Sequence, residues 1–133
     1  MAFQVVVTDA LTEAMIQAGE QLIRTLHSAG FPVKAAFWWY LADSKVWRLF
    51  IASRVVSESG ATEAYRQIHN IVDRIPSDEA KIRMNDVTVI EDDSPMVSLL
   101  RTAVRPTRKA SGIRLFQNVI NGVMIDDAYI YQL

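Results

Sequence analysis

The chain of 133 residues contains no cysteine. This absence removes disulfides, thiolate metal sites and a cysteine nucleophile together. It is compatible with the cytosol, and a cytoplasmic location is the expectation. Histidine is nearly absent as well. His27 and His69 fall on two different predicted helices, beside the core residues Leu26 and Ile68, and read as helix-surface positions rather than as a catalytic pair. Five glycines are too few, and too scattered, for a Gly-x-Gly-x-x-Gly fingerprint, a phosphate-cradling loop or a Gly-x-Ser-x-Gly elbow. No cofactor is therefore expected, and a non-catalytic domain is favoured over an enzyme. No apolar run approaches the roughly 20 residues that span a bilayer, so no membrane partner is expected. The first residues lack a basic segment, so a signal peptide is not expected either.

Charge is also scarce in sum. The net value is −1, which gives no whole-chain field to steer the protein toward nucleic acid or anionic lipid. Half the residues are apolar and 22% are charged, ordinary proportions for a folded domain. The length suits one domain over residues 1–133, with a core that needs no staples. No repeat, linker or low-complexity tract divides it.

The elements follow from periodicity. Phe3 to Val7 is a possible short strand, after which Thr8 or Asp9 offers a helix cap. Leu11, Met15, Ala18, Leu22, Leu26 and Ala29 form the apolar stripe of a helix that Gly30 and Pro32 stop. Lys34 to Arg54 is a β-hairpin turning at Ala42-Asp43-Ser44-Lys45, with Trp39 opposite Arg48 and Phe37 opposite Phe50. Ser59-Gly60 opens a helix carrying Ala61, Tyr65, Ile68, Val72 and Ile75, which Pro76 ends. Ser77 to Asn85 is ambiguous, with room for one helical turn. Val87 to Glu91 is a strand candidate. Ser94-Pro95 starts a helix with Val97, Leu100 and Val104 inward, and Pro106 closes it. Asn121-Gly122 tolerates the positive φ angles of a type I′ turn and joins Ile113–Ile120 to Val123–Tyr131 as a second hairpin. Its expected core face is Ile113, Leu115, Val119, Met124, Ala128 and Ile130. The order (β)αββαβαββ predicts an α+β fold: a mixed, largely antiparallel sheet with about three helices.

Three constellations stand out. All three tryptophans lie between Trp38 and Trp47, and both faces of that hairpin are apolar. One alternative is that helices cover both faces. The other is that Trp38, Tyr40, Trp47, Leu49 and Ile51 stay open as a self-association surface, most simply in a homodimer. On the opposite face, Trp39 and Arg48 are placed for a cation–π contact.

The second constellation is a hidden charge asymmetry. No acid lies between Ser94 and Ile125, where Arg101, Arg105, Arg108, Lys109 and Arg114 give +5 against −6 elsewhere. This basic segment is either a solvated face or an anion site for nucleic acid or a phosphate ligand.

The third is acidic: Glu91-Asp92-Asp93 and Asp126-Asp127. If the two clusters met they could hold Mg²⁺ for phosphodiester cleavage, the remotest of the alternatives. Neighbouring strand residues point to opposite faces, however, and Arg114 is the diagonal partner expected for Asp127. No metal ligand is assigned.

Overall fold

The computed structural model describes residues 10–76, 81–104 and 112–133. In chain order its elements are α1 (Glu13–Ser28), β1 (Ala35–Leu41), β2 (Val46–Ser53), α2 (Arg54–Ser59), α3 (Ala61–Val72), a 3-10 turn (Met84–Asp86), β3 (Val87–Glu91), α4 (Pro95–Ala103), β4 (Ile113–Ile120) and β5 (Val123–Gln132). The fold is α+β. The five strands among the described residues form one mixed sheet in the order β3-β2-β1-β5-β4. Only β2 and β3 run parallel, and that pairing requires the crossover that α2 and α3 supply.

Local chemistry accounts for most boundaries. Thr12, rather than Thr8 or Asp9, caps α1: its hydroxyl accepts from the Met15 N–H at 3.1 Å. Thr8 and Asp9, with the expected strand Phe3–Val7, lie outside the described residues. Gly30 has φ +79°, which an L side chain rarely adopts, and the chain leaves α1 there. Ser94 caps α4 with Pro95 at its first position, as expected. Asn121 and Gly122 have φ of +50° and +79°, the signature of the type I′ turn.

The unexpected element is α2. Ser53 ends β2, and its fully buried side chain accepts from the Val55 N–H at 3.1 Å, so it caps a helix. Val55 and Val56 look like a continuing strand by composition, and this cap is what turns them.

Two cores lie on the two faces of the sheet. The first joins Leu22 and Leu26 of α1 and Ile68 of α3 to Trp38, Trp47, Leu49 and Ile51. The second joins Val97 and Leu100 of α4 to Phe37, Phe50, Ala128 and Ile130. Each large side chain taken fully out of water contributes roughly 2–3 kcal/mol.

A part-buried polar chain flanks the first core. Trp38 Nε1 donates to the Tyr131 hydroxyl at 3.0 Å, and that hydroxyl donates to the Ile16 carbonyl at 2.6 Å. Burial pushes the Tyr131 phenol well above its usual pKa. Gly19 leaves room for this arrangement, since a Cβ there would overlap the Tyr131 hydroxyl.

The registers of both hairpins match the expected ones. Trp39 opposes Arg48, Phe37 opposes Phe50 and Ile120 opposes Val123. The expected inner face of the second hairpin needs correction. Ile113, Leu115, Ala128 and Ile130 do pack on the α4 side, but Val119 and Met124 are exposed, and Ile125 is buried instead. The ladder skips Gln117 and Asp126, and Gln117 has φ +50°. The register is the same on either side of this rung, yet the face of β5 that meets the core changes there, so that Ile125 and Ala128, three residues apart, reach the same core.

Candidate functional site

The central hairpin resolves the first alternative. Trp38, Leu49 and Ile51 are completely inaccessible and Trp47 is 6% exposed. The apolar stripes of α1 and α3 cover them within the same chain. The expected open face of Trp38, Tyr40, Trp47, Leu49 and Ile51 is therefore core. The physical reason is its position in the sheet: β1 and β2 are interior strands, so both of their faces need cover. Tyr40 alone remains half-buried. The expected Trp39–Arg48 stacking is replaced by hydrogen bonds, since Arg48 donates to Thr88 Oγ1 at 2.6 Å and to the Val87 carbonyl at 3.3 Å.

A cleft of about 350 Å³ opens at the edge of this core, lined by Tyr40, Trp47, Arg114, Phe116, Asp126 and Asp127 among others. Strand pairing explains its position. β5 pairs with β1 only as far as Trp39 opposite Ala128, and beyond that point its one partner among the described residues is β4. At this gap Tyr40 stays half-buried against the buried Trp47, their ring centroids 5.3 Å apart.

Arg114 bridges the gap. Its Nε and Nη2 donate to the two Asp127 oxygens at 2.5 and 2.6 Å, a bidentate pair. Its guanidinium carbon lies 5.6 Å from the Trp47 ring centroid, within cation–π range. The hydrogen-bonded Asp127 carboxylate raises the Arg114 pKa further above its usual value. The diagonal partner expected for Asp127 is thus the one found. Asp126, half-buried on the same cleft, has no hydrogen bond or ion pair among the described residues. The cleft offers aromatic walls, one satisfied ion pair and one spare carboxylate. It holds no nucleophile paired with a base.

Phe116 connects the cleft to the arm formed by the outer halves of β4 and β5. Among the described residues the exposed large hydrophobics are Val46, Phe116 (62%), Val119 (65%), Val123 (44%) and Met124 (52%), and the last four belong to this arm. β4 is also a terminal strand of the sheet. Sequence reasoning assigned Val119 and Met124 to the core because their alternation fits it. The available signal against that was the interruption at Gln117 and Asp126.

The basic segment is not gathered into one site by the residues that can be described. Arg114 is committed to Asp127, and Arg101 is exposed on α4 without a partner among the described residues. Arg105, Arg108 and Lys109 lie outside the described residues. The acidic clusters are separated: Asp92 lines a different cleft from Asp126 and Asp127. Among the described residues no group of three or more His, Asp or Glu is close enough to hold a metal ion. The histidines stay apart, His69 facing Asp73 at 3.7 Å and His27 facing Gln132 at 3.1 Å. Among the described residues no helix is long and apolar enough to cross a membrane.

No protein-family model, curated protein or solved structure matches this chain.

Proposed function

We propose that this chain is a non-catalytic interaction domain that self-associates as a homodimer through its β4–β5 arm. One observation carries the reading: four of the five exposed large hydrophobic residues among those described cluster on the arm, beside an edge strand. An exposed strand edge is a template for pairing with another chain, and native proteins usually blunt such edges with charge or proline. Among the described residues β4 has no strand on its outer edge and carries one charge, Arg114, which Asp127 takes up. A second copy aligned antiparallel on β4 is the simplest occupant, because a two-fold contact lets one surface serve both partners. Phe116, Val119, Val123 and Met124 then supply apolar area, and the Tyr40–Trp47 cleft receives side chains from the facing arm.

Chromatography with light scattering tests this on the wild type and on Val119→Lys, which adds the charge that natural edges use. The expected outcome is a wild-type dimer at tens of micromolar and a monomeric variant that keeps the wild-type far-UV circular dichroism and melts lower at that concentration, because association no longer stabilises the fold. A wild-type monomer at that concentration would overturn the reading.

A further inference from the structure

A second cleft, of about 410 Å³, opens at the end of the sheet remote from the arm and is lined by His27, Pro32, Val33, Lys34, Arg54 and Asp92. Strand direction brings these residues together. Lys34 precedes β1, Arg54 follows β2 and Asp92 follows β3. β1 is antiparallel to β2 and β2 is parallel to β3, so the start of β1 and the ends of the other two strands share one end of the sheet. The Lys34 N–H, donating to the Ala52 carbonyl at 2.8 Å, pins the entry of β1 there. The volume lies within the range of small-molecule sites.

The side chains have complementary roles. Gln132 Nε2 donates to the Val33 carbonyl at 2.8 Å, so its Oε1 is the acceptor that faces His27 Nε2 at 3.1 Å. That ring nitrogen therefore carries a proton, and the imidazole is held in place with Nδ1 as its second polar atom. Lys34 and Arg54 are exposed, and their side chains make no hydrogen bond or ion pair among the described residues. By contrast, Arg66, Arg83 and Arg114 each hold a carboxylate. The cleft's one acid, Asp92, accepts from the Ser57 hydroxyl at 3.0 Å through Oδ1. Its other oxygen is left to accept from something else.

We propose that this cleft binds a small phosphomonoester that also bears hydroxyl groups. Lys34 and Arg54 hold the phosphate oxygens, His27 lines the same wall, and Asp92 accepts a hydrogen bond from a ligand hydroxyl. Two unpaired cations match a phosphate dianion, and a guanidinium beside an ammonium is suited to it. The site is separate from the arm and does not depend on self-association.

Isothermal titration calorimetry of the full chain with glycerol 3-phosphate and with inorganic phosphate tests this at fixed ionic strength. The wild type should bind glycerol 3-phosphate at one site, and more tightly than inorganic phosphate. Arg54→Ala and Lys34→Ala should each weaken binding by about tenfold or more, the effect of losing one charge-assisted contact. Asp92→Asn should abolish the preference for glycerol 3-phosphate over inorganic phosphate. Arg101→Ala removes an exposed arginine elsewhere and should change nothing. Lys34, Arg54 and Arg101 are exposed and Asp92 is half-buried, and an unchanged melting temperature confirms folding of each variant. Absence of millimolar binding to either ligand overturns the proposal. So does an equal loss in Arg101→Ala, which would mark diffuse charge attraction, and so does tighter binding of a single-stranded oligonucleotide than of glycerol 3-phosphate.

Discussion

The two long hairpins of this protein are built from similar sequence and meet opposite fates. β1–β2 is apolar on both faces and is covered on both, by α1 and α3 on one side and α4 on the other. β4–β5 is also rich in apolar residues, yet its outer half exposes Phe116, Val119, Val123 and Met124. The difference is one of place in the sheet. An interior hairpin has neighbours on both edges and helices over both faces, whereas a terminal one is covered only as far as its neighbour extends. Here β1 accompanies β5 no further than Ala128. Aromatic content alone does not reveal an interface; the strand order decides which apolar face another element reaches.

The two edges of the sheet extend the contrast. At β3 the Val89 N–H is taken by the Tyr65 hydroxyl of α3 at 3.1 Å, so a helix attends to that edge. At β4 the Phe116 N–H is taken by the side chain of Asn118, two residues on, at 3.0 Å. One N–H on the β3 edge is thus taken by tertiary packing, and one on the β4 edge by its own strand.

The largest effect should come from truncating the two hairpins in parallel. Trp38→Ala should cost about 3–5 kcal/mol in urea denaturation, the range for a buried aromatic that leaves a cavity. Phe116→Ala should change monomer stability by less than about 0.5 kcal/mol. Comparable costs at the two sites would erase the distinction drawn between them.

Gly19→Ala comes next and sharpens the account of the covered hairpin. On an isolated helix the change is favourable by about 1 kcal/mol. Here it should destabilise by about 1–3 kcal/mol, because the new methyl group meets the Tyr131 hydroxyl that Trp38 and the Ile16 carbonyl hold in place. The double variant with Tyr131→Phe should cost less than the sum of the single changes, since removing the hydroxyl also removes the overlap.

The smallest expected effect lies on the outer surface of α3. The Arg66 guanidinium and then the Gln67 amide hold the Glu63 carboxyl at about 2, down from 4.5. A depressed folded-state pKa stabilises above the unfolded value and loses that contribution as pH falls through the folded one. The increment should therefore be present above about pH 4.5 and fade toward pH 2. Melting temperatures of wild type and Glu63→Gln measured across that window should converge at the acid end. The pair is exposed, so the difference should be slight, and parallel curves would remove the assignment.

Much of the architecture was legible in one dimension because its causes are local. The Ala18, Leu22 and Leu26 part of the α1 stripe, the Ser94-Pro95 cap and the Asn121-Gly122 turn each depend on a few neighbouring residues and stand where expected, while Ala29 at the end of the expected stripe is exposed. The Arg114–Asp127 pair was legible too, because a two-residue turn sets the register and the register sets the diagonal. α2 was missed because valines favour strands, and only the buried Ser53 hydroxyl diverts them. The displaced alternation of β5 was missed because a positive φ at Gln117 has no strong residue signature.

The phosphate cleft was out of reach for a different reason. His27, Lys34, Arg54 and Asp92 are spread over 66 residues of chain, and nothing in their spacing relates them. They meet because a parallel pair was inserted beside an antiparallel one. The same holds for the aromatic hairpin. Its residues announce burial against something, but composition is silent on whether that is a helix of the same chain or another molecule. Turns, caps and registers follow from the chemistry of adjacent residues. Cover and convergence follow from strand order, which long-range packing alone selects.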